Sequence, residues 1–354
     1  MSSDAKIVKE KFISAKKFYL MPTNPKNTLK LLTSHNLYLG VDGGGTKTHI
    51  SLMNQAGRIV GEGVAGASNP LRVGVENAVG NIVKAINNAC DAYELSRGDI
   101  VSATLGLAGV RRADIKKIVA ESFRKRLPIK KIQVVTDAEI ALFGTTLGKA
   151  GLVIIAGTGS VCIGIDENGK LALAGGWGPL AGDEGGGAGI AKRALQAIAK
   201  ASDGRGKPTA LSQVASKYFR AAKTEDLIVV IYSPQTDNAK LAGFAREVSE
   251  TALNGDEVAI EIMQEAGNEL GLAAVAVIER LKLQNRKFPI GHVGSVFNTG
   301  ELLTKPLLET IHKSAPKAYL TEPKLIPAYA AAKMAFEIYN IPVKEKNGRK
   351  TAHT

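Results

Sequence analysis

Short apolar runs separated by glycine and polar turns open the patterned part of the chain. LYLGVD at 37–42 has the length and flanks of a buried strand. Three glycines follow at 43–45, and TKTHISLM (46–53) reads as a second strand. NQAG (54–57) is a turn and RIVGEGVA (58–65) a third strand. The spacing then lengthens. Val79, Ile82, Val83, Ile86 and Ala89 fall on one face of a helix within 76–95. IVSATLGLAG (100–109) predicts a strand entering a glycine loop, and 113–126 an amphipathic helix. KIQVVTD (131–137) is a strand, and AEIALFGTT (138–146) opens a helix.

The same order then repeats. GLVIIAG (151–157), the turn TGS (158–160), VCIGID (161–166), the turn ENGK and LALAGG (171–176) predict three more strands. Helices are expected at 184–202, 209–219, 238–253 and 257–281. FPIGHVGS (288–295) reads as a strand and glycine loop, with a helix from 300 and an Ala-rich one at 325–339. The glycine hairpins at 43–45 and 157–160 lie in corresponding places, which predicts an internal structural duplication.

A length of 354 residues suits two domains. With 45% hydrophobic and 22% charged residues, the chain has the composition of a globular protein. Its formal charge of +13 raises the question of an anionic partner. The position of that charge answers part of it. Residues 1–36 carry a net +5 and residues 343–354 a net +3, so both ends read as basic, solvated tails. The first is either a flexible extension or the product of an upstream start, with Met21 as a later alternative. The dense stretch 111–131 is mostly one face of a helix. No basic run is interleaved with stacking aromatics, which argues against nucleic acid. No apolar run approaches the ~20 residues that span a bilayer. Two cysteines, Cys90 and Cys162, cannot build a zinc or iron–sulfur cage within one chain, and the cytoplasm is the natural compartment.

The chemistry sits in the glycine turns. No G-x-x-x-x-G-K-[ST] motif is present, and GEGVAG (61–66) leads into ASNP rather than a helix. DGGGTKT (42–48) is more informative. Two strands joined by consecutive glycines leave backbone N–H groups with no side chains in front, and such a turn can wrap a phosphate chain. Asp42 can hold Mg²⁺ directly or through water. The alternative is a plain tight hairpin. AGTGS (156–160) offers a second set of amides with two hydroxyls, so two jaws closing on one polyphosphate are expected. Asp137 ends a buried strand, where it can either accept a proton from an attacking hydroxyl or cap the next helix. GGWGPLAGDEGGGAG (175–189) carries Asp183 and Glu184, as helix caps or as ligands for sugar hydroxyls.

DGGGTKT, TDAE, AGTGS, GGWGPLAGDEG and the late GHVGS loop, in this order, resemble the N-acetylglucosamine kinase-like group of the BadF/BadG/BcrA/BcrD ATPase family. That group lies within the sugar kinase, actin and Hsp70 superfamily. The resemblance implies an α/β architecture of two ribonuclease-H-like domains, the actin-like ATPase fold, hinged around a nucleotide and sugar cleft. The first domain would comprise 37–147 with 325–342, and the second 148–324. It further implies ATP and Mg²⁺ as cofactors and a small-molecule sugar as substrate. Gly43, Gly44, Gly45, Thr46 and Lys47 match its first phosphate loop, with Asp42 near the metal. Gly157, Thr158, Gly159 and Ser160 match the second, and Gly294 and Ser295 the adenosine loop. Asp137 matches the catalytic base. Asn69 and Asp183 match sugar contacts, with Gly176 and Glu184 lining the same pocket. A homodimer is the expected assembly.

Two departures bear on the sugar. Val161 stands where N-acetylglucosamine kinases usually continue GTGS with Asn. Arg72, three residues beyond Asn69, is either a surface charge or the contact for an anionic group, which would suit a sugar acid such as 2-keto-3-deoxygluconate. Other branches of the family are ATPases that activate CoA-ester dehydratases or reductases through an iron–sulfur cluster, and neither cysteine is placed for that. A DNA-binding regulator would need a helix-turn-helix that residues 1–36 do not supply.

Overall fold

The computed structural model describes residues 36–340. The basic tails therefore lie outside the described residues, apart from residue 36. Along the chain come β1 (Leu37–Gly43), β2 (Thr48–Met53), β3 (Ile59–Ala65), α1 (Pro70–Val73), α2 (Val75–Tyr93), β4 (Ile100–Leu107), α3 (Ala113–Arg126), β5 (Lys131–Thr136) and α4 (Asp137–Thr146). The second series is β6 (Gly151–Ala156), β7 (Ser160–Ile165), β8 (Leu171–Gly175), α5 (Gly187–Ser202), α6 (Leu211–Phe219), α7 (Leu227–Ile231), α8 (Asn238–Leu253), α9 (Glu257–Leu281), β9 (Pro289–Val293), α10 (Glu301–His312), β10 (Tyr319–Thr321) and α11 (Pro327–Asn340).

The chain divides into two compact units, one running to Ile140 and resuming at Pro327, the other Ala141–Ile326. Each holds one five-stranded sheet. In the first unit the strand order is β3-β2-β1-β4-β5. β2 lies between β1 and β3 and is antiparallel to both, and β4 and β5 run parallel to β1. The second unit repeats this as β8-β7-β6-β9-β10, with the same mixture of directions. This is the ribonuclease-H-like order, present twice.

Alternation along β1 explains the packing of the first unit. Leu37, Leu39 and Val41 point to one face, where they meet Val79, Ile82, Ile86 and Ala89 of α2 and Val119 and Phe123 of α3. Tyr38 and Met53 point to the other face and meet Ala332 and Ala335 of α11. Gly40 shares that face. A Cβ there would lie 2.1 Å from the Ala332 nitrogen and 2.2 Å from the Ala328 carbonyl oxygen. The alanines of α11 and the bare Gly40 thus let helix and sheet backbones approach closely. In the second unit α9 runs through the core, and Gly267 and Gly271 on it admit the backbone of α10.

Four elements differ from the sequence reading for physical reasons. α5 begins at Gly187, not 184, because Gly185 adopts φ 74° and ends a loop. α6 begins at Leu211, since Thr209 and the Ala210 amide are held by the Asp256 carboxylate. α7 and the three-residue β10 are too short to show a period.

Candidate active site

β1 and β2 remain paired as far as Gly43 and Thr48, and the Gly44 amide donates to the Lys47 carbonyl at 3.0 Å. Two loops clamp this turn. The Ser68 and Asn69 amides donate to the Gly44 carbonyl at 3.0 and 3.1 Å, and the Ala108 amide to the Gly43 carbonyl at 2.8 Å. Thr48 is buried; its hydroxyl donates to the Gly66 carbonyl and lies 2.8 Å from Ser68 Oγ. A Cβ at Gly43 would come within 2.2 Å of Ser68 Oγ. The clamp leaves the Gly45 and Thr46 amides facing no protein acceptor among the described residues, and Thr46 and Lys47 exposed. Ser68 and Thr48 are structural parts of the turn that motif reading passed over. Asn69 Oδ1 accepts from the Leu71 amide at 3.0 Å and lies against Gly109, whose φ of 81° and missing Cβ make room for it. That arrangement leaves the Asn69 amide nitrogen as the end available to a ligand.

Asp42, the last residue but one of β1, lies directly opposite His49 of β2. Burial raises its carboxyl above the ordinary aspartate range, the nearby His49 charge lowers it, Asp137 raises it and Lys47 lowers it. Asp137 occupies the first position of α4. Its surface is open to solvent, yet enough protein surrounds it that poor hydration of the charge raises its carboxyl; the hydrogen bond from the Ala138 amide at 2.9 Å works in the opposite sense.

Thr136 and Glu139, not Asp137, cap α4. The Thr136 hydroxyl accepts from the Glu139 amide at 3.2 Å, and Glu139 Oε2 accepts from the Thr136 amide at 2.7 Å. This reciprocal capping box satisfies the Thr136 and Glu139 amides, and Asp137 Oδ1 accepts only from the adjacent Ala138 amide among the bonds of this turn. Lys116 Nζ, 3.1 Å from Glu139 Oε2, pins it in place. Asp137 is therefore relieved of the capping role left open from the sequence. TDAE itself is the S/T-x-x-E signature that could have shown this.

The second unit carries the other turn. The Gly157 amide donates to the Gly159 carbonyl at 3.0 Å, and the Gly187 and Ala188 amides at the start of α5 donate to the Gly157 and Thr158 carbonyls. Ser160 Oγ donates to the Glu184 carbonyl at 2.6 Å, and the Ser160 amide to Asp183 Oδ1 at 3.3 Å. Asp183 is buried in the left-handed region (φ 61°), and a Cβ at Gly159 would lie 2.6 Å from its carboxylate oxygens. Burial raises the Asp183 carboxyl, with the Ser160 amide opposing and Glu184 reinforcing. Its carboxylate is thus engaged with the turn within its own unit. Gly294, with φ 116°, packs against the Ala156 carbonyl, which brings the 294–295 loop beside Gly157; Ser295 is exposed. The Gly176 amide donates to the Ser160 carbonyl at 2.9 Å. The exposed Glu184 lines a cavity of about 440 Å³ together with Lys192, Arg193, Glu265 and Glu269.

Among the described residues no group of three or more His, Cys, Asp or Glu side chains could hold a metal. Asp42, with the Asp137 charge nearby, does fit Mg²⁺, which usually takes one or two carboxylates and keeps several waters. Both thiols are buried, and burial raises each. No helix among the described residues is long and apolar enough to cross a membrane.

Comparisons with known proteins agree with this geometry. Residues 39–335 match the model of the BadF/BadG/BcrA/BcrD ATPase family. The chain is 32% identical over 297 residues to the N-acetylmuramic acid/N-acetylglucosamine kinase of Clostridium acetobutylicum, covering 84% of this chain and 97% of the relative. It is 31% identical over 314 residues to the N-acetyl-D-glucosamine kinase of Dictyostelium discoideum, covering 85% and 98%. A solved structure assigned as a candidate N-acetylglucosamine kinase from Chromobacterium violaceum superposes with a TM-score of 0.67 at 24% identity, covering 85% of this chain and 99% of that one. The fold is that of the actin-like sugar kinases. On its sequence, its doubled sheet and these matches, the chain belongs to the BadF/BadG/BcrA/BcrD ATPase family.

Proposed function

We propose that this chain is an ATP-dependent kinase that transfers the γ-phosphoryl group to a hydroxyl of an N-acetylated amino sugar. The observation that carries the reading is Asp137, a carboxylate near Asp42 that the Thr136–Glu139 box frees from capping. In this mechanism Asp137 takes the proton of the attacking sugar hydroxyl. The amides of the first turn and Lys47 hold phosphate oxygens, and Asn69 orients the sugar through its amide nitrogen. The turn 157–160 presents amides and hydroxyls to the polyphosphate, with Gly294 and Ser295 on the adenosine side. Asp183 keeps that turn in shape, and Gly176 and Glu184 border the sugar pocket. Asp42 would hold Mg²⁺, which supplies charge neutralisation to the polyphosphate when bound. The enzyme acts in the cytoplasm, as a homodimer. The iron–sulfur activator function has no support from the two buried thiols.

A phosphotransfer assay with γ-labelled ATP tests the proposal. Label is expected in N-acetylglucosamine or N-acetylmuramic acid, ahead of glucosamine, glucose and 2-keto-3-deoxygluconate. ATP turnover that ignores every sugar would overturn it.

The raised Asp42 carboxyl carries a second expectation. Its folded form binds a proton more tightly than the unfolded chain, so ionisation costs stability, and stability falls as pH rises from the ordinary aspartate range through the raised value. Mg²⁺ relieves that cost by binding the folded state. At neutral pH, Asp42→Asn is expected to raise Tm by a few degrees in chelator and to lose most of the Mg²⁺-induced rise seen in the unaltered protein. Thermal melts with and without Mg²⁺ check both.

A further inference from the structure

Arg72 lies on the one-turn helix α1, three residues beyond Asn69. Its side chain folds back over the first glycine turn: a Cβ on Gly45 would be 3.1 Å from Arg72 Nη1 and 3.6 Å from its Cδ. The guanidinium forms no ion pair with any described carboxylate and remains exposed. An arginine lying over a backbone turn, with no acceptor for its donors among the described residues, has the planar fork that matches a carboxylate.

We propose that Arg72 reads a carboxylate on the acceptor sugar, so that the substrate class is an amino sugar carrying an acidic substituent. The inference rests on the kinase reading above and narrows it. One observation favours the acceptor over the transferring phosphoryl group: the same loop carries Asn69, whose amide nitrogen is the group assigned to the sugar. One of the relatives is named for both N-acetylmuramic acid and N-acetylglucosamine, which differ by a lactyl ether bearing one carboxylate.

The test compares kcat/KM for N-acetylmuramic acid and N-acetylglucosamine in the full chain, in Arg72→Gln and in Arg72→Lys. A charge-assisted pair of this kind corresponds to a loss of at least about tenfold when removed. The acid-to-neutral ratio of kcat/KM should therefore fall at least about tenfold in Arg72→Gln, mainly through KM for the acid, with Arg72→Lys between the two. An equal fall in kcat on both sugars would overturn the proposal and assign Arg72 to the phosphoryl group. An unchanged ratio would also overturn it, as would an unaltered enzyme that phosphorylates N-acetylglucosamine but not N-acetylmuramic acid; the kinase reading would survive both. Inactivity of the unaltered enzyme on both sugars would remove the two readings together.

Discussion

Asp137→Asn is expected to lower kcat by about 10²- to 10⁴-fold, the usual contribution of a general base. Nucleotide affinity should stay within a few-fold, because the glycine turns are untouched. Stability should not fall, because Thr136 and Glu139 carry the cap of α4 and the substitution removes a poorly hydrated charge. The pH dependence gives an independent check. The base must be ionised, and burial sets the Asp137 carboxyl above the ordinary range, so kcat/KM should rise as pH climbs through that raised value. In the Asn variant this ascending limb should vanish. Pre-steady-state phosphotransfer and nucleotide titration together decide the matter. Near-normal turnover by the variant would remove Asp137 from the mechanism.

Gly40→Ala is expected to have the largest effect on folding. The added Cβ would overlap the backbone nitrogen of Ala332 and the carbonyl oxygen of Ala328, and neither atom can swing aside as a side-chain tip would. The whole of α11 would have to lift from the sheet, separating Tyr38 and Met53 from Ala332 and Ala335. Overpacking in cores costs about 1–3 kcal/mol, and backbone overlap belongs at or above the top of that range. A fall in Tm of about 10 °C, or loss of soluble protein, is the expected outcome. Gly80→Ala is the control: this helical glycine has no heavy atom within 4 Å of its Cβ position, and the change should leave Tm equal or slightly higher. Equal melting of Gly40→Ala and the parent protein would disprove the close approach.

Much of this architecture was legible along the chain because strands and turns leave local marks. Apolar runs of strand length, consecutive glycines and a repeated order located β1–β3 and β6–β8 and suggested the doubling. Contacts between distant segments left no such mark. Gly40 reads as one more residue of an apolar strand until α11 is laid across it. Asp183 reads as half of an acidic pair, and only the folded second unit shows its carboxylate against Gly159. Thr136 and Glu139 differ from these, since their T-x-x-E spacing is local and visible in the sequence. Arg72 was open between a surface charge and an anion contact, and its fold over Gly45 is what supports the second.

The place of α11 also bears on how the protein is made. The first sheet is synthesised early, but the helix that covers one of its faces follows the whole of the second unit. Until the ribosome has released residues 327–340, Tyr38 and Met53 lack the part of their packing that α11 supplies. The second unit, continuous from 141 to 326, can finish folding while the first still waits. A stop codon just before Pro327 would therefore damage the half of the molecule that was translated first.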